Sequence, residues 1–191
     1  MIRKIYMLND FLKEKFNEKI YKVSLDGGFT CPNRDGKVSK GGCIFCSENG
    51  SGDFTATKLK SIHEQIEEQI DLVSKKYKGD KYIAYFQNFT NTYAEVSYLR
   101  KIYEEALSHE KIVGLAIATR PDCLGDDVLE LLAELNKKTF LWVELGLQTV
   151  NDDVAKYFNR AYETGIYQEA SEKLNKLNIK LHEGRVYSSD V

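Results

Sequence analysis

Between residues 20 and 181, short strand-like runs take turns with amphipathic stretches at helical spacing. That alternation narrows the fold more than any other feature of the chain. Residues 20–25, 82–86, 112–118 and 140–147 read as strands, and 178–181 as the start of a fifth. Between them, residues 60–77 place Ile62, Ile66, Ile70 and Val73 on one helical face. Residues 94–107 do the same with Val96, Leu99, Ile102, Tyr103 and Leu107, and 126–136 with Val128, Leu131, Leu132 and Leu135. Residues 152–158 and 164–177 also read as helical. Strands and helices alternating at this spacing imply βαβ units and a parallel sheet. Right-handed crossovers curl such strands into a barrel or an open doubly wound sheet. In either fold, ligands bind at the carboxyl ends of the strands.

The polar clusters of the chain fall at those ends. A glycine-rich loop, 26–57, follows the first strand and carries Cys31, Cys43 and Cys46. Gln87 to Tyr93 follow the second strand, Thr119 to Asp122 the third, and Glu144 to Thr149 lie at the end of the fourth. Three thiolates can hold three irons of a [4Fe–4S] cube and leave the fourth iron open for chemistry. A zinc site with Cys123 as fourth ligand is the competing reading of the same cysteines, although a second paired cysteine motif is absent. Phe45, between two of the thiols, would wall the site from water. Strand alternation puts Trp142, Glu144 and Gly146 on one face, so Glu144 points into the barrel and Gly146 leaves room beside it. An acid in so apolar a strand needs a partner.

Composition fits a folded domain: 42% of residues are hydrophobic, 29% are charged, and the net charge is −2. No apolar run is long enough to span a bilayer, and the first residues lack a secretory apolar stretch. Clustered cysteines fit metal binding in a reducing compartment, so a cytoplasmic location without membrane contact is expected. Residues 1–40 hold nine Lys/Arg against five Asp/Glu, a +4 front half that suits either a phosphate backbone or a solvated lysine-rich surface. Residues 1–19 read as a basic segment. His63-Glu64-Gln65-Ile66-Glu67 has the start of a zincin helix but not its second histidine, and reads as a surface helix.

Val23 to Gly36, Gly41-Gly-Cys-Ile-Phe-Cys-Ser47, Tyr85 to Ala94, Ala118 to Leu124 and Val143 to Thr149 together resemble the radical SAM superfamily. More closely, they resemble its YhcC/YtqA-type subfamily, related to the catalytic subunit of Elongator. The resemblance runs from about residue 20 to 160, and the eleven residues between Cys31 and Cys43 suit that subfamily. After Asn159-Arg160 relatives usually carry Gly-His, where this chain has Ala161-Tyr162. Relatives also run on through further strands, and the tail from His182 to Val191 does not match. The expectation is a fragment or a C-terminally truncated chain, with a core over 20–181 and an unmatched tail over 182–191.

The resemblance implies an α/β fold, a partial (β/α)6 TIM-like barrel with about its first four to five strands. It implies a [4Fe–4S] cluster on Cys31, Cys43 and Cys46, and S-adenosylmethionine (SAM) at the open iron. Reductive cleavage of SAM would give a 5′-deoxyadenosyl radical, acting on a tRNA wobble uridine side chain. Candidate SAM contacts are Gln87, Thr90, Asn91, Thr92, Thr119, Arg120, Glu144 and Gln148, with Arg160 resembling the arginine that neutralises the SAM carboxylate. Asp122 is the alternative partner of Arg120. Expected partners are tRNA and an electron donor such as flavodoxin or ferredoxin; the oligomeric state stays open. Two other readings stand beside this one: a non-catalytic zinc or iron–sulfur module binding RNA or protein, and a truncated, inactive remnant that binds SAM weakly.

Overall fold

A computed structural model describes residues 7–47 and 60–183. Five strands, β1 (Tyr21–Leu25), β2 (Tyr82–Phe86), β3 (Ile112–Thr119), β4 (Phe140–Leu145) and β5 (Lys180–Glu183), lie side by side in chain order. All four pairings are parallel. Chain-order parallel strands with helical crossovers are the opening arc of a (β/α) barrel, the one of the two folds left open by the alternation that the resemblance implies. The helices are α1 (Leu8–Phe16), α2 (Ile62–Ser74), α3 (Val96–Leu107), α4 (Asp126–Lys138), α5 (Asp152–Tyr157) and α6 (Thr164–Lys176).

The strand pleat sorts the side chains into two cores. Val23, Leu25, Tyr82, Ala84, Phe86, Leu115, Ile117, Leu141, Val143 and Leu145 face the outer helices and join the buried stripes of α2, α3, α4 and α6. Ile83, Tyr85, Ala116 and Trp142 face the inside of the arc. There they meet Leu12 and Ile20, with Phe11, Phe16 and Phe140 packed around them. Helix α1 is therefore a plug on the inner face. Its charge had pointed to a surface segment, but Leu8, Phe11, Leu12 and Phe16 recur at helical spacing, which was the legible signal. It ends at Asn17, left-handed at φ 55°.

Element ends follow local chemistry. Helix α2 starts two residues later than periodicity suggests. Ser61 accepts from the Glu64 N–H (3.2 Å) while the Glu64 carboxylate accepts from the Ser61 N–H (2.8 Å), a capping box. Strand β4 stops at Leu145, before the expected 147. The Gly146 N–H still donates to Thr119 O (3.2 Å), and Gln148 then turns left-handed at φ 59°. Gly114 in β3 has no room for a side chain, since an added Cβ would sit 2.5 Å from the Phe140 carbonyl. His182, assigned from sequence to the unmatched tail, extends β5; residues 48–59 of the long loop and 184–191 of the tail lie outside the described residues. Among the described residues no helix is long and apolar enough to cross a membrane.

Candidate functional site

The cysteine loop leaves β1 at the carboxyl end and is tied down at both flanks. Gln65 on α2 bonds the backbone of Asp26 twice, accepting from its N–H (2.9 Å) and donating to its carbonyl (3.0 Å). The Cys31 carbonyl accepts from the N–H groups of Arg34 (2.8 Å) and Asp35 (3.2 Å), closing a turn. The other flank rests on the turn after α5. Asn159, left-handed at φ 54°, donates from its amide to Gly42 O (2.8 Å) and Lys40 O (3.3 Å), and accepts from the Ser39 hydroxyl (3.2 Å). Asn33 donates to Asn159 O (2.5 Å) and reaches Cys43 Sγ at 3.4 Å. The Ile44 N–H donates to Phe158 O (3.1 Å).

This frame sets the electrostatics of the thiols. The hydrogen bond from Cys43 draws the Cys46 thiol down to about 7, and the charges of Arg34 and Arg120 act in the same direction against burial. That bond, together with burial, pushes Cys43 up. Of the pair, Cys46 is the thiol that gives up its proton more readily. Arg34 is held beside them by donating to the carbonyls of Cys46 (3.4 Å) and Ser47. Cys123, the alternative zinc ligand, is pushed up to about 12, first by burial and then by Asp122, and it does not border the cavity described below.

The loop roofs a cavity of about 1010 Å³ at the carboxyl ends of the strands. Every strand contributes to it: Lys22 and Ser24 from β1, Tyr85 from β2, Ala118 and Thr119 from β3, Glu144 and Leu145 from β4, and His182 from β5. Cys31, Cys43 and Cys46 line it from above.

The structure divides the candidate SAM contacts. Gln87, Thr90, Thr119, Arg120, Glu144, Gln148 and Arg160 border the cavity; Asn91 and Thr92 do not. Asn91 is a staple between strand ends, its amide donating to Phe86 O (3.1 Å) and Ala118 O (2.7 Å). Thr92 is buried against the Thr119 hydroxyl (2.6 Å) and donates to Cys123 O (2.6 Å). Thr90 is the opposite case: 1% exposed, bordering the cavity, with a hydroxyl oxygen that has no partner among the described residues. A buried, orphaned hydroxyl is costly unless something arrives to meet it.

Arg160 has a different job from the one its resemblance implies. It is 0% exposed, and its five N–H groups donate to Tyr162 O, Leu147 O, Thr149 O, Asp152 Oδ1 and Thr164 Oγ1. No donor is left over for a SAM carboxylate; the side chain welds the β4–α5 turn to α6. Arg120 donates to both oxygens of Asp122 (2.9 and 2.7 Å) and to Arg160 O (3.0 Å), which leaves two of its five N–H groups. The ion pair with Asp122, the alternative read from sequence, is thus present, and it orients the guanidinium.

Glu144 points inward, and its partners are at hand. Tyr85 donates to Oε2 (2.7 Å), Trp142 Nε1 donates to Oε1 (3.0 Å), and Lys22 Nζ lies 3.5 Å away. Burial and the Glu144 charge push the Tyr85 phenol up, so it keeps its proton for this bond. The room expected beside Gly146 is taken, because an added Cβ would lie 2.5 Å from the Gln148 amide and 3.6 Å from the Tyr162 oxygen. Tyr162 also borders the cavity. Its ring sits 4.9 Å from the Arg120 guanidinium and 4.5 Å from that of Arg160, and its hydroxyl donates to Gly146 O and to Gln148 Oε1 (3.2 Å). Phe45 packs edge-on against Phe158 at 5.9 Å but is 41% exposed, so it only partly walls the thiols. Asn33 and Arg34, two and three residues past Cys31, were not singled out from sequence as site residues, and Asn159 and Tyr162 were named only for the departure around Arg160.

Three inward thiols, an orphaned Thr90 hydroxyl and the spare donors of Arg120 fit a cubane with a SAM-sized ligand beside it. The model of the Radical SAM superfamily matches residues 31–186. The uncharacterized protein YtqA of Bacillus subtilis is 50% identical over 179 residues, covering 94% of this chain and 56% of that protein. The protein YhcC of Escherichia coli K12 is 40% identical over 178 residues, covering 93% and 56%. The chain thus spans about half the length of these relatives. A tRNA uridine(34) acetyltransferase of Dehalococcoides mccartyi is 32% identical over 82 residues, covering 43% of this chain and 17% of that one. Among solved structures, the archaeal Elp3 of Methanocaldococcus infernus shares the fold with a TM-score of 0.57 at 17% identity, covering 86% of this chain and 37% of that one. A cysteine-roofed cavity on a chain-order parallel arc, matched by the family model over most of its length, makes the chain a member of the radical SAM superfamily, in its YtqA/YhcC-type branch, whose cofactors are a [4Fe–4S] cluster and SAM.

Proposed function

We propose that this chain carries the SAM-cleaving core of an enzyme that remodels the side chain of a tRNA wobble uridine. The observation that carries the first half is the cavity itself: three thiols above a Thr90 hydroxyl that has no partner among the described residues, in a space lined by all five strands. Cys31, Cys43 and Cys46 would hold the cluster, and Thr90, Arg120 and Gln148 the polar groups of SAM. When bound, the reduced cluster would supply one electron to the SAM sulfonium, and breaking the C5′–S bond would give methionine and a 5′-deoxyadenosyl radical. The remaining work belongs to the protein. Asn33 and Asn159 hold the cysteine loop, Asp122 and Tyr162 aim Arg120, and Tyr85 with Trp142 holds the Glu144 carboxylate inward.

The second half rests on relatedness. The acetyltransferase relative is named for uridine 34 of tRNA, and the sequence resembles the catalytic subunit of Elongator. The electron would come from a carrier of the flavodoxin or ferredoxin class. Anaerobic reconstitution followed by iron and acid-labile sulfide analysis tests the cofactor. Iron and sulfide lost on Cys31→Ser support it, while zinc without sulfide would leave a binding module in its place. Incubation with SAM, a reductant and tRNA, followed by nucleoside mass spectrometry, tests the substrate. Formation of 5′-deoxyadenosine with every wobble nucleoside unchanged would defeat the tRNA assignment and leave the SAM chemistry standing.

A further inference from the structure

Outside the barrel, the fold completes the helix that from sequence lacks its second histidine. His63 and Glu67 stand four residues apart on α2, so one face of the helix presents both. The missing imidazole comes from the turn between α3 and β3. His109 is 3% exposed, its Nε2 lies 2.8 Å from Glu67 Oε1, and its ring centre lies 4.7 Å from that of His63. One ligand atom from each of the three lies within 4.8 Å of the other two.

We propose that His63, Glu67 and His109 form a zinc-class metal site that ties α2 to the α3–β3 turn. Two imidazoles and a carboxylate are the donor set that zinc takes when one position stays open, and they are too nitrogen-rich for magnesium or calcium. Zinc bonds to nitrogen and oxygen at about 2.0–2.2 Å, so its ligand atoms need to close by little more than an ångström. His63 and Glu67 are exposed and free to make that movement, while burial fixes His109. A plain histidine–carboxylate pair explains Glu67 and His109 but not the third member: the ring of His63 sits against His109, and its nitrogens have no hydrogen-bond partner among the described residues. Glu105 adds negative charge at the same spot, accepting from the His63 backbone N–H (3.3 Å).

The metal-free state already carries the proton arrangement that binding would change. The Lys111 N–H donates to His109 Nδ1 (3.2 Å), so Nε2 bears the ring proton and gives it to Glu67. Metal at Nε2 moves that proton to Nδ1 and gives up the weak Lys111 contact. No net charge leaves the ring, and the Glu67 oxygen exchanges a proton donor for the cation.

The test is equilibrium dialysis of the anaerobically reconstituted protein against zinc, magnesium or ferrous iron, with metal analysis and thermal unfolding. The site predicts one zinc per chain with cluster iron unchanged, a rise in unfolding temperature with zinc, and no uptake of magnesium. His63→Ala and Glu67→Gln, both at exposed positions, should keep the fold by circular dichroism and weaken zinc binding by about 100-fold or more, beyond the loss typical of removing a mere supporting group. Repeating His63→Ala on a protein with Cys31, Cys43 and Cys46 all changed to serine separates this site from the cysteines; the same loss should appear there. Equal zinc binding with and without His63, zinc gained only as cluster iron is lost, or ferrous iron held more tightly than zinc would each overturn the assignment.

Discussion

Asn159 holds the cysteine loop from outside it, using one amide on Lys40 O, Gly42 O and Ser39. Asn159→Gly keeps the left-handed backbone and removes only those bonds. It should lower iron loading on reconstitution and cost about 0.5–1.5 kcal/mol in urea unfolding, the range for an ordinary hydrogen bond, since these partners are only partly buried. Unchanged iron per chain would show that the loop holds itself. Two residues on, Ala161 is left-handed at φ 61°, a conformation that favours glycine. An L side chain pays about 1–2 kcal/mol there, and glycine's extra freedom in the unfolded chain returns only part of that. Ala161→Gly should therefore stabilise the protein by about 0.5–1 kcal/mol, read as a higher urea midpoint.

At the scale of elements, α1 decides what the inner face of the sheet can be. Strand β4 offers Trp142 and Glu144 to the same side, one apolar and one charged. Helix α1 covers the apolar end with Leu12, Phe11 and Phe16, and only the carboxyl end of the strands is left to build a polar cavity. Leu12→Ala removes a side chain that is nearly fully buried. It should cost about 2–4 kcal/mol and loosen the packing over Trp142. Trp142 is the single tryptophan of the chain, so its emission reports the change directly, with a red shift and a lower unfolding midpoint expected. An unchanged spectrum and midpoint would mean that α1 is dispensable to the inner core.

For the whole molecule, the α5–α6 corner links stability to pH. Hydrogen bonds from the Thr164 hydroxyl and N–H hold the Asp152 carboxyl below its usual range, and the Arg160 charge adds to them. A folded-state value below the unfolded one means the contribution is complete above the unfolded carboxylate range. It is lost as pH falls through the lower folded value, in the window below about 4. Glu64 and Glu67 are lowered too, by bonds from Ser61 and His109, and act with the same sign. Urea midpoints should therefore drop steeply in that acid window. Asp152→Asn should be less stable at neutral pH and show a shallower acid limb; a parallel curve would place the sensitivity elsewhere.

The amino-acid order alone determined the parallel α/β arc, the polar rim at its carboxyl end and the three cysteines, because strand and helix periodicities and metal-ligand chemistry are local properties of neighbouring residues. Glu144 was legible in the same way: strand alternation gave its direction, and its charge in an apolar strand demanded partners. The tertiary structure alone decided who those partners were. Tyr85 and Lys22 reach Glu144 from other strands, Asn159 reaches the cysteine loop from more than a hundred residues away, and His109 completes the face begun by His63 and Glu67. It also decided that Arg160 spends every donor on the protein and that the charged segment around Leu12 turns inward. Contacts between distant residues arise only once the sheet has curled, and burial, not residue type, then sets which polar groups are satisfied and which, like the Thr90 hydroxyl, are left waiting.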